Sequence, residues 1–404
     1  MKNKREIIVI GSGISGYAAA VTAKNASTVV RVIDRAKQPG GQATHVNVGT
    51  ICGLFQHSEW INHPFLRDFV AEYMHFDASS SIHTHSGYKI LSYNWRKMID
   101  FFENKFNEQQ IHFYPDHEVI DVRSTDKYIT EVTTKSKLGN TNFDVDAIID
   151  CTGNALISNL LNSPLIQSQS YQSPAYIFEL RGVDSDDEFK LNMVLARFCQ
   201  KFNFAPLFVV PGSLNKDKVA LKLALQVVGS DNCANMTEIL TETKLLIQQK
   251  LIPLLKDESN LFGKVEIEYL FPELGVRTEK RSKGKYILTE FDVLNSTDFE
   301  DSVAIGTWPL EEWNETGKVE ITSLNHPYYT IPARCLESNE FDNLFFAGKT
   351  ISADEKAISS ARVMGTCLQT GYAAGKMARA TCRAELELTI DSMSKSIRKS
   401  CEHY

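Results

Sequence analysis

The chain has 404 residues, of which 43% are hydrophobic and 23% charged, a balance typical of globular proteins and a length sufficient for two or three domains. Its formal net charge of −7 argues against a basic surface for nucleic acid or anionic lipid, and no apolar stretch approaches the ~20 residues that span a bilayer. Residues 1–6 leave no room for a signal peptide and the eight cysteines include no Cys-x-x-Cys pair, so we expect a soluble cytoplasmic protein without a dithiol or thiolate–zinc site.

A β-α-β unit opens the chain. Residues 7–10 form a continuous apolar run, as expected for a buried parallel strand, and residues 17–24 have the composition of an Ala-rich helix. A second β-branched run covers 29–33 and ends at Asp34. The strand–helix–strand order within about 30 residues indicates one βαβ unit.

The next elements extend this pattern. The sequence predicts an amphipathic helix over 94–106, a three-stranded meander over 117–123, 128–134 and 141–146, and a buried strand over 147–151.

Between about residues 158 and 335 the pattern changes. Antiparallel-looking strands at 176–180, 205–210 and 219–228 surround a long amphipathic helix at 237–255. The strand-then-helix pattern typical of a parallel sheet then returns, with a strand at 344–347 and a long helix at 359–382.

These elements predict an α/β fold with two domains. The first is a doubly wound, Rossmann-like domain with a β-meander, built from residues 1–157 and 335–404. The second is an inserted α+β substrate or cap domain of residues 158–334, to which residues 58–93 contribute.

A glycine fingerprint lies between the first strand and its helix, as Gly11-Ser-Gly-Ile-Ser-Gly16. Gly11 allows the tight turn, Gly13 lets the backbone approach a pyrophosphate, and Gly16 lets helix and strand pack closely. Asp34 is placed to accept from a ribose hydroxyl and would repel a 2′-phosphate, although Arg35 adjoins it. A chance glycine turn is the alternative, and the strand, helix and acid together argue against it.

Further glycines favour FAD over NAD. Asp150-Cys-Thr-Gly153 follows one buried strand and Gly348 follows another, and a long dinucleotide needs several such strand ends around one crevice. Only one Gly-x-Gly-x-x-Gly is present, so we expect no separate nicotinamide domain. O₂, a quinone and another protein all remain open as the electron acceptor.

Several motifs resemble the FAD-dependent oxidoreductases of the glutathione-reductase-like superfamily, and more narrowly a bacterial subgroup of them. Beyond the fingerprint and Asp34, the resemblance rests on the segments 40–44 with Gly49, 149–153, 275–281, 328–334, 343–352, 360–367 and 371–375. Two departures stand out, because Lys349 occupies the position where many relatives carry Asp, and the run 353–356 lacks the His that subgroup members often have there.

The resemblance implies a set of FAD-contacting residues around the pyrophosphate, adenine, ribityl chain and flavin ring. These residues are Gly11, Ser12, Gly13, Ile14, Ser15, Gly16, Asp34, Arg35, Gly41, Gln42, Ala43, Thr44, Val119, Thr152, Gly153, Gly348, Arg362, Val363 and Met364. Residues 362–364 would open the last long helix, whose positive end would face the flavin pyrimidine.

Three residues are catalytic candidates. His45 follows the flavin-adjacent segment and His326 precedes Pro-Tyr-Tyr, so either could accept a substrate proton; surface or packing roles are the alternatives. Arg277, with Arg281, could hold an anionic substrate or counter reduced flavin. A pair of solvated charges near Glu279 is the equally open alternative.

Other polar groups suit structural roles better. Five histidines, at 57, 63, 75, 83 and 85, have no carboxylate or cysteine at supporting spacing, so a polar loop is favoured over a metal site. Cys52 is more readily explained as a buried, inert thiol than as a covalent flavin anchor.

The sequence therefore predicts an FAD-dependent oxidoreductase, a dehydrogenase or oxidase that transfers a hydride from a small organic substrate to flavin N5. A flavin monooxygenase or halogenase and a non-catalytic flavin-binding protein are the alternatives. The substrate, the oligomeric state and the attachment of the flavin are not determined by the sequence.

Overall fold

A computed structural model describes residues 4–56, 59–85, 87–168, 172–226, 235–277, 280–382 and 385–401. Its centre is a sheet of five parallel strands. In spatial order these are Leu344–Phe346, Ala147–Asp150, Arg5–Ile10, Thr28–Ile33 and His112–Tyr114. The predicted α/β fold on a parallel sheet is confirmed, and one edge strand comes from a part of the chain almost 200 residues after its neighbour.

The first strand is buried on both faces, which explains its unbroken apolar run. Ile7 and Val9 belong to the main hydrophobic core, whereas Ile8 and Ile10 belong to a second, smaller core, as the alternation of side chains along a strand requires. Among the helices that contribute to the main core are Ile14–Ala23, Pro64–Phe76, Trp95–Glu108 and Met364–Thr381.

The smaller core lies between the sheet and an antiparallel meander. The meander strands are Glu118–Thr125, Tyr128–Ser136 and Gly139–Asp144, close to the predicted ranges. Val122, Ile129 and Val132 pack there against Ile8 and Ile148 of the parallel sheet.

A four-stranded antiparallel sheet lies in the middle of the sequence. Its order is Leu207–Val209, Lys218–Ala224, Ala175–Arg181 and Glu266–Leu270. Its accompanying helices are Glu188–Phe202, Met236–Leu246 and Ile252–Glu258, the last two joined by a π-helical turn at Ile247–Leu251. The predicted strands and long helix of this region are thus present, although residues 227 and 228 of the predicted strand 219–228 lie outside the described residues. The separation of this region as an inserted domain stays a prediction.

Shorter elements complete the fold. Strands pair as Thr50–Ile51 with Tyr88–Ser92 and Ser81–His85, Phe55–Gln56 with Glu59–Trp60, Leu165–Ile166 with Arg281–Ser282, Ser302–Gly306 with Tyr329–Pro332, and Leu310–Trp313 with Val319–Thr322. The remaining helices are Leu156–Leu160, Glu290–Asn295, Glu355–Ala361 and Leu386–Cys401. Across the described ranges, no helix has the length and apolar character to cross a membrane.

The predicted continuous helix over 359–382 is wrong at its start. The chain forms Glu355–Ala361, breaks, and begins a new helix at Met364. Val363 interrupts the helical geometry because its backbone is extended, with φ −65° and ψ 151°. The break exposes a fresh helix N-terminus at Met364, next to Arg362.

Candidate functional site

A cavity of about 880 Å³ opens at the carboxyl ends of the parallel strands, where ligands bind in open α/β sheets. Its volume is within the range of ~300–1,000 Å³ for ligand pockets. The predicted cofactor residues that line it are Gly11, Gly13, Ile14, Ser15, Asp34, Arg35, Gly41, Gln42, Ala43, Val119, Thr152, Gly153, Arg362 and Met364. The structure therefore brings together residues from both ends of the chain.

The three fingerprint glycines differ in what surrounds them. Gly11 has φ +93°, and a Cβ there would lie 2.7 Å from the Cys151 carbonyl oxygen; a Cβ on Gly16 would collide with the Gly11 carbonyl oxygen. Close packing within the protein therefore explains why positions 11 and 16 are glycine. A Cβ on Gly13 would meet only the Gly41 Cα, at 4.0 Å. The space beside Gly13 is left open by the protein, which fits a ligand that approaches the backbone closely.

The helix that follows begins without a cap. Gly13 is the N-cap of Ile14–Ala23, no side chain caps this end, and the first turn holds no acidic residue. Its first N–H groups and the positive end of its dipole are therefore available to an anion such as a pyrophosphate.

Asp34 holds the fingerprint loop in place. Its Oδ2 accepts from the Ser12 backbone N–H at 2.7 Å and from the Ser12 hydroxyl at 2.6 Å, and its Oδ1 accepts from the Ala36 N–H at 2.9 Å. Because Asp34 also lines the cavity, the carboxylate is fixed at the end of its strand. That is the position from which a ribose hydroxyl can be bound.

On another wall of the cavity, the carbonyl oxygen of Val276 links the side chains of Gln42 and Lys349. This oxygen accepts from the Gln42 side chain at 2.7 Å and from the Lys349 ammonium at 2.9 Å. A turn of 3₁₀ helix at Gly41–Ala43 carries Gln42 to this point. Lys349 also lines the cavity, so its ammonium forms part of this wall.

Five predicted cofactor residues do not line the cavity but support it. The Ser12 hydroxyl binds Asp34, the Thr44 hydroxyl donates to the Pro39 carbonyl at 2.9 Å, and Gly16 packs against Gly11. A Cβ on Gly348, whose φ is +68°, would lie 2.5 Å from Ser15 Oγ, and Val363 packs against Gly53. Direct contact of these five with the cofactor stays a prediction.

The three catalytic candidates lie in different places. His45 lines the cavity, and its Nε2 is 2.9 Å from the Gln38 carbonyl oxygen. His326 is exposed and lines a second cavity of about 340 Å³. Arg277 adjoins Val276 and lies beside Glu311 and Trp313. The structure does not bring the two histidines into one site, and their catalytic roles stay predictions.

Arg277 belongs to a group of charges that the sequence had not connected. Lys222, Arg277 and Arg362 surround Glu311, and we call these three residues the cationic cluster. Arg277 Cζ is 4.1 Å and Lys222 Nζ 4.8 Å from the centre of the Trp313 ring, and Arg362 donates to the Glu311 backbone carbonyl at 2.7 Å. Since Arg362 also lines the 880 Å³ cavity, the cationic cluster adjoins that cavity.

The cationic cluster changes the acidity of its members. Burial lowers the pKa of Lys222 to about 8 and that of Arg277 to about 9, in each case helped by a neighbouring arginine. Burial alone would raise the pKa of Glu311, but the charges of Arg362 and Arg277 and the Trp313 hydrogen bond hold it at about 2. At neutral pH the group is therefore ionised throughout.

Sequence reasoning missed Lys222 and Glu311, although one signal was present. Lys222 interrupts the otherwise apolar run of residues 219–225, and a charge in the middle of a buried strand needs a reason. Glu311 had no such signal, because the cations around it, Lys222, Arg277 and Arg362, are distant from it in sequence. Arg281, considered with Arg277, instead bonds the Ala353 carbonyl and the Ser168 hydroxyl. Glu279 lies outside the described residues.

In the histidine-rich segment, the contacts of His83 are with neighbouring protein side chains. His83 Nε2 lies 2.8 Å from Ser81 Oγ and 3.1 Å from Ser92 Oγ, and burial lowers the pKa of His63 to about 3. His57 is outside the part of the chain that the structure describes, and within that part no group of three or more His, Cys, Asp or Glu could hold a metal. Burial raises the pKa of Cys52 to about 12, as expected for an unreactive thiol.

Solved structures of other proteins share the fold of this chain. A p-nitrophenol 4-monooxygenase, PnpA from Pseudomonas putida DLL-E4, shares 10% identity over 99% of this chain and 86% of its own, with a TM-score of 0.53. The flavin-dependent brominase Bmp2 shares 11% identity over 98% and 84%, with a TM-score of 0.52. A geranylgeranyl bacteriochlorophyll reductase-like protein from Thermoplasma acidophilum shares 10% identity over 99% and 84%, with a TM-score of 0.51. Such low identities establish a common fold alone.

The family assignment rests on the sequence. No curated protein matches the chain, and its finer placement in the glutathione-reductase-like superfamily stays a prediction. The model of the FAD dependent oxidoreductase family, however, matches residues 6–392. The chain therefore belongs to the FAD-dependent oxidoreductase family, and its cofactor is FAD.

Proposed function

We propose that the chain oxidises a small organic molecule as a flavin-dependent dehydrogenase or oxidase. The observation that carries this proposal is the concentration of positive charge at one end of the cavity, where Arg362 lines the wall and Lys222 and Arg277 adjoin it. FAD supplies the redox chemistry, because its flavin accepts a hydride and passes the electrons on.

The fingerprint end of the cavity binds the dinucleotide. Gly13 leaves room for the pyrophosphate, and the uncapped start of Ile14–Ala23 offers it N–H donors. Asp34 orients the ribose, and Val119 lies where an adenine would meet the first meander strand.

The other end of the cavity favours electron uptake. The helix Met364–Thr381 begins here with no side-chain cap, and Arg362 adds a full positive charge. Together they stabilise the negative charge that reduction places on the flavin more than they stabilise the neutral oxidised form. This difference makes oxidation of a substrate more favourable.

His45 is the candidate proton acceptor. A carbonyl oxygen can only accept a hydrogen bond, so His45 Nε2 carries the proton in its contact with Gln38. Nδ1 then holds the lone pair that takes a proton from the substrate. Arg277 positions the substrate rather than exchanging a proton.

A flavin monooxygenase or halogenase is the second candidate. Supporting it, PnpA and Bmp2 share this fold over nearly the whole chain. Against it, Lys349 replaces the Asp that follows the glycine in many such relatives.

Anaerobic reduction distinguishes these functions. Hydroxy acids, amino acids and amines are mixed with the holoprotein while flavin absorbance is followed, and the products are analysed by mass spectrometry. We expect one substrate class to bleach the flavin without NAD(P)H and to lose two electrons without gaining oxygen. Bleaching by NAD(P)H alone, followed in air by insertion of oxygen or halogen, would favour the second candidate. A flavin that no donor reduces would indicate a binding protein. Reoxidation by O₂ or by a quinone then separates oxidase from dehydrogenase.

A further inference from the structure

The cationic cluster is only partly neutralised by the protein. Both carboxylate oxygens of Glu311 accept from indoles, Oε1 from Trp313 at 2.6 Å and Oε2 from Trp308 at 2.8 Å. Arg277 Nη1 stands 4.0 Å from Oε1, and Arg362 binds the backbone of Glu311 instead. Glu312 also acts electrostatically on Arg362, so three cations face two carboxylates and one positive charge is in excess within the described residues.

Three donors at the cationic cluster lack an acceptor among the described residues. Arg277 uses Nε to bind the Ser173 carbonyl at 2.9 Å, but its Nη2 is buried without a hydrogen-bond partner. Gln172, only 3% exposed, accepts from Arg362 through Oε1 while its Nε2 is also buried and unpartnered. Lys222 contacts the Trp313 ring but makes no hydrogen bond or ion pair with the described residues.

Leaving such groups unpaired is energetically unfavourable. Each buried donor without an acceptor carries an uncompensated desolvation penalty, and a buried charge without a partner carries a larger one. An anion bound among these donors would remove both penalties. Arg277 is only 15% exposed, so bulk water cannot supply the missing contacts fully.

The anion would lie beside the flavin end of the cavity. Val276, which precedes Arg277, lines the FAD cavity together with Arg362 and Met364. A group held by Arg277, Gln172 and Lys222 is therefore adjacent to the cavity wall that the helix Met364–Thr381 begins.

We propose that the cationic cluster, with Gln172, binds the carboxylate of the substrate, so that the substrates are small carboxylic acids. The one positive charge in excess at the cationic cluster matches the single negative charge of a carboxylate, whereas a phosphate group carries about −1.5 to −2 charges at pH 7 and would be only partly neutralised. The oxidation of such an acid rests on the proposed function, but the binding of its carboxylate does not.

Ligand titrations test the proposal without turnover. The oxidised holoprotein is titrated with benzoate, benzamide and phenyl phosphate, and binding is followed by changes in flavin absorbance and by calorimetry. We expect benzoate to bind at least about tenfold more tightly than either other probe, since one hydrogen bond to a charged group is worth roughly that factor or more. Equal binding of benzamide, or preference for phenyl phosphate, would overturn the assignment.

Variants locate the binding. Lys222→Met and Arg277→Met should each weaken benzoate about tenfold or more and leave benzamide unchanged. Lys218→Met is the matched control, because Lys218 lies on the same strand, is 55% exposed and pairs with Glu268; it should bind benzoate like the parent. If both cluster variants bind benzoate normally but have a lower flavin potential, the cationic cluster serves the flavin and the proposal is wrong.

The proposed oxidation and the proposed carboxylate site can be rejected independently of each other. Selective benzoate binding with no donor that reduces the flavin would reject the proposed oxidation and keep the carboxylate site. Reduction by neutral alcohols or amines but not by carboxylic acids would keep the oxidation and reject the site. If a cluster variant does not fold, the comparison of benzoate with benzamide on the parent protein still decides the question.

Discussion

Gly13 and Gly41 face each other with no side chain between them. A Cβ built on Gly41 would lie 3.0 Å from the Gly13 Cα, and one built on Gly13 would lie 4.0 Å from the Gly41 Cα. A parallel bridge between Gly13 and Gly40 and a bond of 2.9 Å from the Gly40 N–H to the Ser12 carbonyl hold the two loops in this arrangement. The opening between them is therefore fixed by the backbone.

Side chains added at Gly13 should weaken FAD binding in proportion to their size. Gly13→Ala adds a Cβ that the protein tolerates, so any loss reflects the ligand; we expect about fivefold or more, the low end of an overpacking cost of ~1–3 kcal/mol. Gly13→Val should be purified largely without flavin. Bound FAD per chain and circular dichroism give the two measurements needed.

Gly263→Ala is the control for this series, because a Cβ there meets only ordinary contacts, the nearest being the Asn260 carbonyl oxygen at 3.5 Å. It should retain full FAD content. A folded Gly13→Val protein that keeps FAD at the parent level would mean that the open space at Gly13 has no connection with the cofactor.

Asp150 should contribute strongly to stability. Its carboxylate is fully buried and accepts from the Thr152 N–H at 3.0 Å, the Thr152 hydroxyl at 2.6 Å and the Ile157 N–H at 3.0 Å. Asp150→Ala leaves these donors unpaired, so we expect a loss of about 2–4 kcal/mol in the free energy of unfolding, measured by urea denaturation of the apoprotein. Asp146→Ala is the comparison, because that carboxylate binds the exposed Arg5 and one backbone N–H and should lose less. An equal or smaller loss for Asp150→Ala would contradict this account.

The sequence predicted those parts of the molecule that local pattern determines. The apolar run before Gly11, the alternation in the meander and the Gly348 turn each follow from the period of burial or from a required φ. The break at Val363 was not predictable, because residues 359–364 are compatible with a helix and the contacts of the broken form, such as the packing of Val363 against Gly53 and the bond from the Gly365 N–H to the Cys52 carbonyl, join segments distant in sequence. The cationic cluster was missed for a related reason, since Lys222, Arg277, Glu311 and Arg362 come from four distant segments.

Carboxylate binding should weaken as the pH rises through about 8. Burial and the charge of Arg277 lower the pKa of Lys222 to about 8, so its positive charge is present below that pH and is lost above it. Among the other groups that face Lys222, only Arg277 titrates near this pH, and its loss of charge would weaken anion binding in the same direction. Glu311 is already ionised with a pKa of about 2, the pKa of Cys52 is about 12, that of Arg277 is about 9, and that of His85 is lowered from its usual value by burial. We expect the benzoate dissociation constant to rise by up to about tenfold per pH unit above 8, and Lys222→Met to remove the part of this rise that begins near pH 8 and to leave only the later rise caused by Arg277. A parent protein whose benzoate affinity is constant from pH 7 to 9 would disagree with this prediction.

A carboxylate introduced at Met364 should make the flavin harder to reduce. Met364 is the first residue of the helix Met364–Thr381 and lines the cavity beside Arg362. The start of this helix already donates one N–H away from the cavity, from Gly365 to the Cys52 carbonyl at 2.8 Å, and its remaining positive end is directed to the wall that Met364 forms. Met364→Asp would oppose that field, whereas Met364→Asn has the same shape without the charge.

Since reduction adds negative charge, the carboxylate destabilises the reduced flavin more than the oxidised one. A difference of about 1–2 kcal/mol, the upper range for a charge at a helix N-terminus, corresponds to a midpoint potential lower by ~20–40 mV for a two-electron couple. The potential is measured by anaerobic dye-coupled titration of both FAD-loaded variants. Equal potentials for the Asp and Asn variants would mean that this helix does not face the flavin, and the placement of the ring at this end of the cavity would have to be abandoned.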